Sequence, residues 1–271
     1  VQKEDDSKME FEYADYVHLK DILSDVVTSF GEREQGMSTG LSGLDERIRG
    51  VSGGEYIIVA GRPSMGKSAL LASMSLKLSE QGVVVVFSLE MNRRLFVERL
   101  LASLARVNFH HLKLGRATQH DWEALDWAAR ELQKRQLILD DNSFLSPFLL
   151  NQKLEHLAQH FEVKCVMIDY LQLMAAGRRE SRQQEITEIS RMLKATAKTF
   201  NVALIVACQL NRAVENRENN IPRLSDLRES GSLEQDADKV LLLHRPSYYE
   251  LKYDSNWDCS LLLGFRLYGF L

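Results

Sequence analysis

Eight residues, Gly61-Arg62-Pro63-Ser64-Met65-Gly66-Lys67-Ser68, constrain the chain more than any other stretch. They complete the pattern G-x-x-x-x-G-K-[ST] between an apolar run and a helix-forming run. Glu55-Tyr56-Ile57-Ile58-Val59-Ala60 reads as a buried strand, and Lys67 to Glu80, with apolar residues at helical spacing, reads as a helix. In that setting the glycines let the backbone wrap around a phosphate chain, and the helix turns its positive dipole end to the same phosphates. Lys67 is then the residue for the β- and γ-phosphates and Ser68 the hydroxyl for Mg²⁺. The competing reading is an ordinary glycine-containing turn, which the flanking strand and helix disfavour.

The rest of the chain must build a fold around that loop. Its 271 residues, 45% hydrophobic and 27% charged, suffice for one large core or two modest ones. The sequence begins at Val1 rather than Met, as a fragment or a processed chain would. A net charge of −4 argues against coating nucleic acid by bulk charge and leaves room for a local basic channel. Cys165, Cys208 and Cys259 are far apart and odd in number, which points to reduced, buried thiols rather than a disulfide framework or a metal site. No apolar run approaches a membrane span and the N-terminus is acidic, so the expectation is a soluble, cytoplasmic protein with no membrane partner.

Val17 to Phe30 carries Val17, Leu19, Ile22, Leu23, Val26, Val27 and Phe30 at the spacing of an amphipathic helix, and Gly31 to Thr39 follows as a linker. The expected division is residues 1–35, a tail and linker helix, ahead of a main domain over 36–271. Further strands are expected at Val83–Ser88, Leu137–Leu139, Val163–Asp169, Val202–Ala207 and Lys239–His244. Helices are expected at about Arg93–Ala105, Thr118–Arg135, Pro147–Phe161 and Gln184–Phe200. Continuous β-branched runs alternating with amphipathic helices predict an α/β fold, a mostly parallel sheet with helices on both faces.

Ligands of such sheets sit at the carboxyl ends of the strands. Asp169 ends the run Val166-Met167-Ile168, the arrangement of a carboxylate holding Mg²⁺ directly or through water. The alternative is an acid that caps the next turn. Glu90, in Phe87-Ser88-Leu89-Glu90-Met91, is the first choice for the base that orients or deprotonates an attacking water. An N-cap or first-turn role for the following helix is its alternative. Gln209 follows Leu204-Ile205-Val206-Ala207 and is placed to sense a γ-phosphate.

The order of Thr39-Gly40-Leu41 with Leu44-Asp45, the phosphate loop, Ser88-Leu89-Glu90-Met91, Ile168-Asp169-Tyr170-Leu171-Gln172-Leu173 and Leu227-Arg228-Glu229-Ser230-Gly231-Ser232 closely resembles the DnaB-type replicative helicases, over roughly residues 17 to 245. The resemblance implies a RecA-like motor domain in a ring-shaped homo-hexamer that hydrolyses ATP with Mg²⁺ while moving along single-stranded DNA. Carried onto this sequence, it gives Gly61, Arg62, Pro63, Ser64, Met65, Gly66, Lys67 and Ser68 the nucleotide. Asp169 then takes Mg²⁺ with Ser68, Glu90 the base and Gln209 the γ-phosphate. It places a DNA-holding channel loop on Arg228, Glu229, Ser230 and Gly231. Gly177-Arg178-Arg179-Glu180-Ser181-Arg182 offers a second basic loop through Arg178, Arg179 and Arg182; a solvated charge run is the alternative.

The resemblance also implies a linker helix that docks on an adjacent subunit, and a loader and a primase as partners. The family assigns those last contacts largely to an N-terminal helical domain that this sequence does not include. It expects a Lys-x-Arg near the C-terminus, supplying an arginine finger to the neighbour's ATP. Here Gly264-Phe265-Arg266 has no lysine two residues before Arg266. Either Arg266 is a displaced finger or the turn is missing and two strands run together; the second is favoured, and the finger stays unassigned. Two other functions fit parts of the pattern: a RecA-like recombination mediator and a non-hydrolysing, nucleotide-dependent ring assembly or loading factor.

Overall fold

The computed structural model describes residues 18–31, 35–175, 181–217, 220–227, 231–250 and 264–268, the last by its backbone alone. The chain groups into two units, Val1–Gln35 and Gly36–Leu271. In the first, helix α1 (Leu19–Gly31) places Leu19, Ile22, Leu23, Val26 and Val27 on one side by their spacing, and these side chains are exposed.

The second unit alternates as expected. Helix α2 (Ser42–Ile48) precedes strand β1 (Tyr56–Gly61), helix α3 (Lys67–Leu78), strand β2 (Val83–Ser88) and helices α4 (Arg93–Ala105), α5 (Phe109–Lys113) and α6 (Gln119–Leu132). Then come strand β3 (Leu137–Asp140), helix α7 (Pro147–Ala158), strand β4 (Val163–Asp169), helix α8 (Arg182–Thr199) and strand β5 (Ala203–Gln209). Helix α9 (Gly231–Asp236), strand β6 (Lys239–His244), helix α10 (Pro246–Glu250) and strand β7 (Gly264–Tyr268) complete it. The short helices α2, α5, α9 and α10 are not among those expected from periodicity. Helix α8 begins at Arg182 rather than Gln184 because the Ser181 side chain caps it, accepting from Gln184 N–H.

One seven-stranded sheet runs in the order β3-β2-β4-β5-β1-β6-β7, parallel throughout except for the β6–β7 pair. Every residue of β1 and β2 is buried, whereas the edge strand β3 is half-buried along its length. That is why the central strands read as unbroken apolar runs: both of their faces are covered. Tyr56, Ile58 and Ala60 join a core with Leu150 and Leu154 of α7 and Ile189 and Leu193 of α8. Ile57 and Val59 point the other way, into a core with Leu71, Met74 and Leu78 of α3 and Phe96 and Leu100 of α4.

The register levels the strand ends. Gly61 lies opposite Gln209, and Ser88 opposite Asp169. Four carboxyl ends thus open on one rim. Cys165 and Cys208 are buried, and burial pushes the Cys165 thiol well above its usual value. No helix among the described residues is long and apolar enough to cross a membrane.

Candidate functional site

The phosphate loop leaves β1 at Gly61 and enters α3 at Lys67, with Ser64 and Gly66 at φ +64° and +97°. The left-handed turn at Gly66 is the conformation that favours glycine. Helices α4, α5, α6, α7 and α8 each start on an Asn, Thr or Ser whose side chain accepts an N–H of the first turn. Helix α3 starts on Gly66 with no side-chain cap. Its first N–H groups and its positive end therefore face the rim, an arrangement made for an anion.

A groove of about 420 Å³ opens there, lined by Pro63, Ser64, Gly66, Lys67, Ser68, Ala69, Glu90, Arg99, Tyr170 and Gln209. Lys67 Nζ donates to the carbonyls of Gly61 (3.0 Å) and Arg62 (3.1 Å). Burial lowers the Lys67 pKa even though the Asp169 charge works against it. Both Asp169 carboxylate oxygens are buried without a hydrogen-bond partner. Burial raises the Asp169 pKa, and Glu90 adds to the rise, against the pull of the nearby Ser68 hydroxyl and the Lys67 and Arg99 cations.

Glu90 is presented by a tight turn. Leu89 N–H donates to Asp169 O at 2.8 Å and the Ser88 hydroxyl to Met91 O at 2.8 Å. Leu89 and Met91 are buried in opposite cores, and Glu90 between them is exposed to the groove. The cap of α4 is Asn92, which accepts from Leu95 N–H, so the capping alternative for Glu90 is overturned. Gln209 ends β5 rather than following it, and its backbone is clasped by Gln172: Gln209 N–H donates to Gln172 Oε1 (3.1 Å) and Gln172 Nε2 to Gln209 O (3.2 Å).

The structure thus gathers Pro63, Ser64, Gly66, Lys67, Ser68, Glu90 and Gln209 on one groove with Asp169 beside Ser68 and Lys67. Other predicted residues go elsewhere. Met65 is buried in the α3 core. Arg62 belongs to the loop by its backbone only; its guanidinium is buried against Glu215 and the Leu210 carbonyl. Arg182 is no free loop cation: as the first residue of α8 it pairs with Glu185 and donates to the carbonyls of Gln172 (2.7 Å) and Met174 (3.1 Å). Arg178, Arg179, Arg228, Glu229 and Ser230 lie outside the described residues, and Gly231 opens α9. Arg266 occupies the middle of β7, opposite Leu242.

Sequence reasoning missed Arg99 and Tyr170, which line the groove, and Gln172 behind it. Tyr170 and Gln172 stood within the quoted run after β4, but Arg99, two turns into α4, carries no local signal. A larger groove of about 750 Å³ lies at the β3 edge. Its charged walls are already paired, Arg93 with Asp141 and Lys153 with Asp140, and it holds none of the predicted residues.

The parallel sheet, the uncapped helix behind a glycine loop and the carboxylates at the neighbouring strand ends define a nucleotide-binding α/β domain of the P-loop class. Within that class the chain can be placed further. The DnaB-like helicase C terminal domain matches residues 36–262, and the chain belongs to this family. It is 40% identical over 262 residues to the replicative DNA helicase DnaB of Leifsonia xyli subsp. xyli, covering 93% of this chain and 57% of that protein. With DnaB of Geobacillus stearothermophilus the identity is 38% over 246 residues, covering 86% and 54%. The chain therefore spans little more than half the length of these relatives.

Among solved structures it resembles the ATPase domain of G40P, with a TM-score of 0.82 and 32% identity over 89% of this chain and 88% of that one. A DnaB-like replicative helicase described together with its interactions with primase gives a TM-score of 0.83 and 31% identity, over 92% and 65%. The RecA-like fold expected from the motifs is the fold of these ATPase domains.

Proposed function

We propose that this chain is the motor domain of a replicative DNA helicase, hydrolysing ATP at the subunit interfaces of a homo-hexameric ring to move along single-stranded DNA. The observation that carries the reading is the meeting of Lys67, Ser68, Glu90 and Gln209 on one groove beside the unpartnered Asp169 carboxylate. A lone triphosphate needs the first two; a hydrolysed one needs the others as well. Family membership and relatives that are replicative helicases support the DNA-directed part.

In this reading the α3 N-terminus and Lys67 hold the β- and γ-phosphates, and Gln209 faces the γ-phosphate. Glu90, exposed on its turn, orients or deprotonates the attacking water. Arg99 adds a positive charge to the wall where negative charge develops. Mg²⁺ fits the donor set: Ser68 offers a hydroxyl beside Asp169, whose two buried oxygens have no hydrogen-bond partner of good geometry among the described residues. Bound there, the cation would neutralise phosphate charge. Arg228 to Gly231, with Arg178 and Arg179, are the proposed DNA contacts, and a loader and a primase the proposed partners.

The test is ATP hydrolysis with and without single-stranded DNA. DNA-stimulated turnover is expected, lost in Lys67→Ala and reduced about 10²-fold or more in Glu90→Gln with nucleotide binding retained. Undiminished turnover in Glu90→Gln removes the base assignment. Ring formation on ATP with no turnover at all would replace the motor by an assembly factor.

A further inference from the structure

The phosphate loop is bolted to the segment that leads into Arg228. Arg62 is only 7% exposed, and its guanidinium donates through Nε and Nη2 to Glu215 Oε1 (2.9 and 2.8 Å) and through Nη1 to Leu210 O (2.7 Å). Leu210 N–H in turn donates to Gly61 O at 3.2 Å. The Gly61 carbonyl of this last link also accepts from Lys67 Nζ, as does the carbonyl of Arg62.

Beyond Leu210 the chain stays fastened. Asn211 N–H donates to Asp226 O at 3.0 Å. The Asp226 carboxylate, 3% exposed, accepts from both terminal nitrogens of Arg217, one at 2.7 Å, and from Arg223 N–H at 2.6 Å. Leu227 is buried in the core, and Arg228 is the next residue. Two arginine ion pairs, Arg62–Glu215 and Arg217–Asp226, thus fasten the described residues between Leu210 and Leu227 by side chains rather than by a sheet or a long helix.

We propose that Arg62, through Glu215, is a positioning residue that couples nucleotide in the phosphate loop to DNA held at Arg228–Gly231. This rests on the reading of that loop as the DNA contact. Lys67 can turn from the loop carbonyls to a phosphate, which alters the Arg62 peptide; the buried guanidinium carries the change to Glu215 and Leu210, and the Arg217–Asp226 pair carries it to the residue before Arg228. The coupling is a free energy shared by two sites, so it must show equally in both directions.

The experiment uses the full chain. Affinity for a fluorescent single-stranded oligonucleotide is measured with and without a non-hydrolysable ATP analogue, and affinity for the analogue with and without the oligonucleotide. Glu215→Ala should lower the coupling factor by about 2–30-fold, the range of mutations along coupled networks. Each single-ligand affinity should stay near wild type, because Glu215 lines neither site, while the melting temperature falls, because the buried Arg62 guanidinium loses its ionic partner. Glu215→Gln, which keeps an acceptor for Arg62, should remain closer to wild type than alanine.

An unchanged factor in Glu215→Ala overturns the coupling and leaves the motor reading standing. A factor that falls only together with both single-ligand affinities also overturns it, in favour of a structural role. No oligonucleotide binding by the wild-type chain overturns the motor reading and the coupling with it.

Discussion

Replacing Asp169 by asparagine should stabilise the protein while making it indifferent to Mg²⁺. The carboxylate oxygens are buried and unpartnered, and the raised pKa already includes the attraction of Lys67 and Arg99, so the net electrostatic effect of the charge on folding is unfavourable. Asparagine keeps a buried polar group there but removes its charge, and relief of about 1 kcal/mol raises the melting temperature of a domain this size by about 2–4 °C. The pH dependence has a definite sign. The folded carboxyl binds its proton more tightly than the ordinary value of 3.8, so the penalty is absent below that pH and grows as pH rises through the folded value. The advantage of Asp169→Asn should therefore be small near pH 4 and larger at neutral pH. ATP with Mg²⁺ at about 100 times its Kd adds about 2.7 kcal/mol to the wild type. In the variant, ATP with Mg²⁺ should stabilise no more than ATP alone. Scanning fluorimetry over pH, with and without ligands, reads all of this. A variant less stable than wild type at neutral pH, or one still stabilised further by Mg²⁺, refutes the reasoning.

Two further tests concern the frame around the site. Asp45 accepts from Thr39 N–H (3.0 Å), the Thr39 hydroxyl (2.6 Å) and the Ser38 hydroxyl (2.7 Å), so Asp45→Ala strands a buried threonine and should cost about 1–3 kcal/mol by denaturant unfolding; a loss under half a kcal/mol, by the same principle, would show that water replaces it. The hydrogen bonds of Asp141 to the side chain and N–H of Arg93 hold its carboxyl down to about 2, so its contribution is present above the ordinary 3.8 and fades as pH falls through the folded value. The melting-temperature gap between wild type and Asp141→Asn should accordingly narrow from pH 5 toward pH 3, and a constant gap would argue against the pairing.

What could be read in the sequence was whatever a short stretch determines. The phosphate loop is one continuous octapeptide, and Glu90 and Asp169 each follow their own apolar strand, so local pattern sufficed for them. The apolar run ends two residues before β5 does, because Cys208 and Gln209 continue a ladder opposite Ala60 and Gly61, a fact of pairing rather than of composition. The pattern groups Arg62 with the nucleotide because it stands among the loop residues; only the tertiary path brings Glu215 to it across 153 positions of sequence. Arg99 reaches the groove because α4 packs against α3 beside the rim, which no helical spacing reveals. The basic cluster around Arg182 suggests a loop cation, but Ser181 caps the start of the helix and the guanidinium closes on the Gln172 and Met174 carbonyls.

The nucleotide reading draws its strength from features that are each a defect in an isolated fold. Helix α3 lacks the side-chain cap that α4 to α8 all have. Lys67 is desolvated and rests on carbonyls of its own loop. Asp169 keeps two buried oxygens without partners. The first two call for an anion and the third for a cation, so a phosphate chain alone would worsen the position of Asp169 and a metal alone that of Lys67. A phosphate chain carrying Mg²⁺ satisfies all three together, and the leveled register of β1, β2, β4 and β5 is what sets them within reach of one ligand. Stability given up at those positions is recovered in the two cores on either face of the sheet, where substitution of a fully buried leucine such as Leu154 or Leu193 by alanine costs about 2–5 kcal/mol. The rim can remain strained because the layers beneath it are not.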